Sequence, residues 1–412
     1  MKIAFIHYNW TDKDGVMTVV KNCLYGLGKL DLAEPIQVKL IAGEYNGNFK
    51  NFEKVRFPME IAHDPAITPE KIQRSIEDAT RDCDVIVIEN PLVGSRPHAT
   101  IAFKQFSEGI AKKRGQKVVW HHHDFIDDRP HLYDSFREIV GEFETNEAYA
   151  IGDNIIHTTL TTQDQRRLQN KGVEAVVLRN SVIIDDLYQD QEGARRLRQT
   201  LEKKKFIHPG EKVILYPVRV VERKNCEEAF LLQRVLEESG QDYRLIITAP
   251  HKQDYQRKLQ DLAKKHKVKV SVGDVSEHIP NIRAALTMAN LAVTTSVEEG
   301  FGYVFVEPPL TGTPMIGRDI PKSTRDLKEA GLNLNNLYSD SDYHADPDPK
   351  IRIKNIEDII SDPGAIRKIA RKLNLGQRIE YAMDNLDNNA QAVRANYGSE
   401  AVAKKFYDLI TA

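Results

Sequence analysis

Apolar runs of four to seven residues alternate along the chain with amphipathic stretches of 12 to 20 residues. In the first half the runs are Ile3–His7, Val38–Ala42, Val85–Glu89, Lys117–His121, Asn154–His157 and Ala175–Leu178. Helical spacing fits the segments between them: Gly15–Leu30, Pro69–Arg81, Pro97–Arg114, His131–Ala150 and Thr162–Lys171. Short runs rich in Val and Ile, separated by helical patterns, predict βαβ units around a parallel sheet.

The rhythm breaks between Asp185 and Gly210, where Gln189–Arg198 and Lys203-Lys-Lys are polar and highly charged and His208-Pro-Gly signals a turn. This stretch reads as a solvated helix plus linker. Strand-like runs then restart at Val213–Pro217, Tyr243–Thr248, Val268–Val272, Leu291–Thr295 and Met315–Gly317, with helices beginning near Asn225, His251, Ile279, Tyr303 and Lys322. A restart predicts two doubly wound, Rossmann-like α/β domains facing a central cleft. The boundaries read as 1–185, a linker at 186–210, a second domain at 211–390, and a last helix at 391–412 returning to the first domain. Asn333–Pro349, rich in Asn, Asp, Ser and Pro, reads as a surface loop, followed by helical patterns at Ile356–Ile360, Gly364–Asp384 and Glu400–Ile410.

Composition narrows the function without naming it. Of 412 residues, 41% are apolar and 29% charged, with 58 Lys plus Arg against 60 Asp plus Glu. That balance argues against a nucleic-acid grip driven by bulk charge and against a basic amphipathic anchor. The three cysteines, Cys23, Cys83 and Cys226, are far apart and odd in number, which suits a reducing compartment. The first apolar run is too short for a signal-peptide core, and no run approaches the ~18 residues of a membrane span. A cytoplasmic protein without stable membrane insertion is expected; the oligomeric state is left open.

Candidate chemistry clusters where strands give way to helices. The first βα loop holds one glycine, Gly15, where a dinucleotide fingerprint needs G-x-G-x-x-G, so a nicotinamide enzyme is disfavoured. Gly15 could still let a phosphate or sugar approach a helix N-terminus, or simply serve the loop's backbone. Glu299-Gly300-Phe301-Gly302-Tyr303 runs on to Glu307-Pro308-Pro309 and Gly312-Thr313-Pro314. Its glycines can expose consecutive N–H groups, and its two carboxylates can accept hydrogen bonds from paired sugar hydroxyls. The prolines are tolerable if they fall early in the helix, where a missing N–H costs little. Arg219, Arg223 and Lys224 stand at the ligand-facing edge of the second sheet and could neutralise a diphosphate. In His121-His122-His123-Asp124, alternation along a strand sends neighbours to opposite faces, so no metal site is assigned.

The Glu299-x7-Glu307 block with its Gly-Phe-Gly, the Arg219…Lys224 pair and the Gly15 loop together resemble glycosyltransferase family 4, the retaining nucleotide-sugar transferases of GT-B fold. The resemblance implies that Glu307 holds ribose hydroxyls and Glu299 the donor sugar's hydroxyls. It implies that amides around Gly300, Phe301, Gly302 and Tyr303 contact the sugar, while Arg219 and Lys224 bind the diphosphate in place of a metal. Gly15 would lie against the donor phosphates and the acceptor. His123-Asp124 match the family's His-Asp pair, with His123 reaching the donor sugar. Arg179-Asn180-Ser181-Val182 stands where the family has Pro-Asn-Gly-Val, and keeps its asparagine.

The expected activity is therefore a retaining hexosyl transfer from a UDP- or GDP-sugar to a hydroxyl acceptor, with no cofactor and no metal. His121, Asp124, Arg129 and Arg179 are candidates for the acceptor side, as is His122. Together with the neutral balance they favour a small soluble, anionic acceptor such as a glycerate or glycosyl-glycerate. A lipid or polysaccharide acceptor stays open. Rival readings on the same fold are a sugar phosphorylase, a nucleotide-sugar epimerase and a non-catalytic binding protein.

Overall fold

The structure, a computed structural model, describes residues 1–11, 15–32, 34–46, 52–56, 67–128, 130–140, 148–184, 189–251, 253–299 and 301–412. It divides into two units: Met1–Ile183 with Tyr397–Ala412, and Ile184–Asn396. Each is built on its own parallel sheet.

In the first unit seven parallel strands lie in the order Glu53–Arg56, Gln37–Ala42, Lys2–Ile6, Val85–Glu89, Lys117–His122, Ile155–Thr159, Ala175–Val177. Lys2–Ile6 is the pivot, with Ile3 opposite Val38 on one side and opposite Val85 on the other. Every residue of Val85–Glu89 is buried, which is why this strand reads as a continuous apolar run rather than an alternating one. The strand Glu53–Arg56 and the pair Asn9–Thr11 with Glu44–Asn46 have no such run. They are pairings that the hydrophobic pattern does not show.

The unit is closed by the chain's last helix, Ser399–Thr411, which packs on the helix Gly15–Leu27. Val402, Ala403, Phe406 and Ile410 join Ile3, Phe5, Met17 and Val20 in one apolar cluster. A parallel bridge fixes the entry: the Val182 amide donates to Tyr397 O at 2.7 Å, and the Ser399 amide donates to Val182 O at 2.9 Å. The two helices touch at Gly26, where a Cβ would stand 2.1 Å from the Ser399 carbonyl oxygen and 2.7 Å from the Ala403 methyl.

The second unit has six parallel strands in the order Val270–Val272, Tyr243–Ala249, Lys212–Arg219, Leu291–Thr294, Met315–Arg318, Leu337–Tyr338. From Lys212–Arg219 the chain runs outward on one flank and then crosses back to Leu291–Thr294 on the other, so the sheet's switch point lies between the ends of these two strands. Three sequence expectations change here. The charged stretch read as a solvated helix plus linker contains the helix Gln191–Lys203, which buries Ala194, Leu197 and Leu201 and packs on Ile282–Met288 within this unit. Asn333–Pro349 is not wholly a surface loop, because Leu337–Tyr338 forms the sheet's last strand and Tyr338 is fully buried. The helical pattern Gly364–Asp384 is two helices, Pro363–Leu373 and Leu375–Asp384, split at Asn374 with φ 45°.

No helix among the described residues is long and apolar enough to cross a membrane. Gly26→Ala should cost about 1–3 kcal/mol by forcing the last helix off its neighbour. Urea unfolding would show it as a lowered midpoint, and an unchanged midpoint would mean that this close approach carries no stability.

Candidate functional site

The strand Lys212–Arg219 shifts register between Tyr216 and Arg219, and Arg219 pairs with Ala249. A turn at Glu222–Lys224 and a left-handed Asn225 (φ 49°) then lead into the helix Cys226–Glu238. Pro217, Val218, Arg219, Val221, Glu222, Arg223, Lys224, Thr248, Ala249 and His251 line a cavity of about 710 Å³ at this edge. Arg219 is exposed on its wall, and among the described residues no carboxylate pairs with its guanidinium.

Lys224, in contrast, is 9% exposed and its ammonium is bound to Glu299 Oε1. The same oxygen accepts from Ser296 Oγ at 2.7 Å, and Arg223 Nη1 stands 3.8 Å from Glu299 Oε2. Burial pulls the Lys224 ammonium down, while the charge and hydrogen bond of Glu299 oppose that fall. Ser323 Oγ donates to the Glu299 carbonyl at 2.9 Å, tying the adjoining loop to the helix Pro321–Glu329.

That loop ends at Gly302, which caps the helix Tyr303–Thr311 at φ 87° and, being glycine, brings no side chain of its own to cap it. A Cβ on Gly302 would meet the Phe305 ring at 2.7 Å, so glycine is required both by conformation and by space. Phe301 and Tyr303 meet edge to face, with centroids 4.9 Å apart. Gly300 lies outside the described residues.

Pro308 and Pro309 do not fall early in this helix, as the sequence pattern required, but in its second half. The C-terminal carbonyls are answered locally instead: Thr311 Oγ1 donates to Pro308 O at 2.9 Å and the Gly312 amide donates to Pro309 O at 3.2 Å. Glu307 sits just before them. Burial pushes its carboxyl up to about 7, against the positive charge of Arg283.

Behind the cavity lie groups that the sequence pattern does not reveal. Glu227 and Glu228 read as the acidic first turn of a helix, yet they are 0% and 1% exposed. Glu228 accepts from Arg318 Nη2 at 2.8 and 2.9 Å, from Tyr338 OH at 2.5 Å and from Asn225 Nδ2 at 2.5 Å. Glu227 accepts from Arg352 Nε at 2.8 Å and from Tyr255 OH. The arginine partners are 90 and 125 residues away along the chain, so only the sheet and helix order brings them together. The available signal was Arg318 at the end of an apolar strand.

In the first unit, His121, on its strand, and His123, just past the strand's end, both approach Glu89 from the neighbouring strand. His121 Nδ1 is 3.0 Å and His123 Nε2 2.7 Å from the same carboxylate oxygen. Burial raises the Glu89 carboxyl, but the two imidazoles outweigh it and hold the group well below the usual carboxylate range. These three groups present ligand atoms within 4.8 Å of one another, a spacing that a transition-metal ion could use. His123 Nε2 is hydrogen-bonded to Glu89, while His121 Nε2 is buried and without a hydrogen-bond partner among the described residues. Glu89 was not singled out in the sequence, where it is only the last residue of a strand.

His122 does not join them. It faces the core at 1% exposure, 3.0 Å from His157 Nδ1 and stacked on Phe125, which removes it from any acceptor surface. Asn90 (φ 58°) and Asp124 bond each other twice at 3.1 Å. Asn180 is 6% exposed, with its Oδ1 buried and without a partner among the described residues. Arg179 lies over the Tyr397 ring at 5.7 Å. Gly15 opens the helix Gly15–Leu27, and a Cβ there would meet nothing within 4 Å. Arg129 lies outside the described residues.

Residues 198–372 match the family model for glycosyl transferases group 1. The chain is 23% identical to mannosylglucosylglycerate synthase of Petrotoga mobilis, over 92% of this chain and 98% of that protein. It is 27% identical to mannosylglucosyl-3-phosphoglycerate synthase of the same organism, over 79% of this chain and 67% of that one. Among solved structures, Anabaena HepE in complex with UDP and glucose superposes with a TM-score of 0.63 at 14% identity, covering 100% of this chain and 99% of its own. Sucrose-phosphate synthase from Thermosynechococcus elongatus gives 0.61 at 14%, covering 100% and 98%. At these identities the two structures speak for the fold.

A carboxyl held above its unfolded value adds stability at low pH and loses it as pH rises between about 4.3 and 7. Glu307→Gln should therefore raise the melting temperature more at pH 8 than at pH 5, by about 2–4 °C for each kcal/mol recovered. Differential scanning fluorimetry at the two pH values checks this; equal shifts would contradict it.

Proposed function

Since this chain is a glycosyltransferase of GT-B fold resembling family 4, we propose that its second unit holds a nucleotide-diphosphate sugar and that it transfers the hexose to a glycerate-type acceptor with retention. One observation carries the donor assignment. At the switch point of the second sheet, the Arg219 guanidinium, unpaired among the described residues, lines a 710 Å³ cavity beside a buried Lys224–Glu299 pair. Cations at that edge suit a diphosphate, and a carboxylate fixed by an ammonium and a hydroxyl suits the hydroxyls of a sugar.

In this reading Arg219 and Lys224 neutralise charge on the departing diphosphate, aided by amides at the start of the helix Tyr303–Thr311. Glu299 orients the sugar and Glu307 accepts from the ribose, with Phe301, Gly302 and Tyr303 in the same segment. The acceptor oxygen bonds to the anomeric carbon on the face from which the nucleotide leaves. The bond from that carbon to the phosphate oxygen breaks, and the acceptor's proton passes to the leaving diphosphate. The protein then needs no general base, cofactor or metal of its own. In the first unit, His123, Gly15 and Asn180, with His121, Asp124, Arg129 and Arg179, are the candidate ligand contacts. UDP and GDP are the candidate nucleotides, UDP being the one held by HepE. The acceptor class rests on the relative named mannosylglucosylglycerate synthase, matched over nearly its full length. A glucosylglycerate accepting a mannosyl group is the specific form tested. Three buried free thiols favour a reducing compartment such as the cytoplasm.

The test is nucleotide release from UDP- and GDP-linked glucose and mannose, with and without glucosylglycerate. Release that requires both substrates, giving a product with the donor's anomeric configuration, is expected. Turnover that needs inorganic phosphate and no nucleotide would make the protein a phosphorylase. Glu307→Ala should weaken nucleotide-diphosphate binding about tenfold or more, while Glu299→Ala mainly lowers kcat. Equal nucleotide affinity in Glu307→Ala and wild type would refute the ribose assignment.

A further inference from the structure

The turn that carries Arg223 and Lys224 is held from behind at every carbonyl. Glu222 O accepts from Arg352 Nη2 at 2.5 Å, and Arg223 O from the Val297 amide at 3.0 Å. Lys224 O accepts from Tyr216 OH at 2.6 Å, and Asn225 O from Thr295 Oγ1 at 2.8 Å. These four oxygens, the negative ends of the peptide dipoles, are thereby committed to donors of the protein rather than left to turn towards a bound anion. The left-handed Asn225 needs such restraint, because a non-glycine residue in that region relaxes when its surroundings allow.

One of these donors comes from far along the chain. Arg352, on the helix Pro349–Ile360, is 4% exposed. Its Nε donates to Glu227 Oε1 at 2.8 Å, its Nη1 to Asp346 O at 2.9 Å and Pro347 O at 3.1 Å, and its Nη2 to Glu222 O. A planar guanidinium reaches these groups at once; an ammonium, as a point donor, cannot. On the other side of the turn, Asn225 Nδ2 bridges Glu228 and Thr295 O. We propose that Arg352 is a positioning residue for the diphosphate: through the Glu222 carbonyl and Glu227 it fixes the turn so that Arg223 and Lys224, and not backbone carbonyls, face the anion. This rests on the reading of the second unit as a donor site.

A role of this kind acts on the diphosphate and not on the base or ribose. The quantity to measure is the ratio of nucleoside to nucleoside-diphosphate dissociation constants, by calorimetry with uridine and UDP and with guanosine and GDP. In Arg352→Lys the ratio should fall about tenfold with nucleoside affinity unchanged. Donor KM should rise by a similar factor, while kcat changes less than twofold. Asn225→Gly keeps the left-handed backbone but loses the side-chain clamp, and should lower the same ratio if Arg352→Lys does not fold. Ile360→Val, a core change on the same helix, should lower the melting temperature and leave the ratio as in wild type. A lower melting temperature with an unaltered ratio in Arg352→Lys and in Asn225→Gly would overturn the positioning role. A wild-type protein that binds neither UDP nor GDP better than its nucleoside would overturn the donor-site reading itself.

Discussion

The buried contact between the Lys224 ammonium and the Glu299 carboxylate is the constraint around which the second unit's site is organised. Two charges removed from water are costly unless each is paired and hydrogen-bonded. The surroundings meet that condition in layers. Ser296 Oγ completes Glu299; Tyr216 OH holds Ser296 and the Lys224 carbonyl; Ser323 holds the Glu299 carbonyl. The pair can form because Lys212–Arg219 and Leu291–Thr294 are neighbouring parallel strands, so that the loops leaving their C-terminal ends open at the same edge. Topology thus brings together two residues 75 positions apart. Arg219, which no described carboxylate pairs, keeps its charge available to a ligand.

A second layer lies deeper. Glu227 with Arg352, and Glu228 with Arg318, are buried ion pairs at the first turn of the helix after the cationic turn. Carboxylates there meet the positive end of the helix dipole, and each arginine donates to its carboxylate through one nitrogen, Nε of Arg352 and Nη2 of Arg318. Burial raises both carboxyls, and the arginines counter that rise. Rigidity in this second layer is what lets exposed cations be aimed; a flexible turn would spread the same charges over many directions.

How much of this is legible in the sequence depends on range. The central strands are legible because a strand buried on both faces is an unbroken run, as in Val85–Glu89. The three-residue strands Asn9–Thr11 and Glu44–Asn46 are set by pairing and are not. The buried face of the helix Gln191–Lys203, read as solvated, hides because its three buried residues, Ala194, Leu197 and Leu201, stand among nine polar ones and a glycine. Glu299, Glu307, Arg219 and Lys224 are legible from spacing at strand ends. Their supports, Glu227, Glu228, Arg318 and Arg352, are not, since an acidic pair at a helix start looks solvated until its partners arrive from elsewhere. Glu89 escapes notice for the same reason: only the adjacent strand shows that it joins His121 and His123.

The central claim is that the cations at the edge of the second sheet bind the diphosphate of a sugar donor. Calorimetric titration of UDP and GDP into wild type and Arg219→Met tests it most directly. The account predicts that one nucleotide binds to wild type and that its affinity falls at least tenfold in Arg219→Met, with the fold unchanged by circular dichroism. Equal affinity in the two proteins would contradict it.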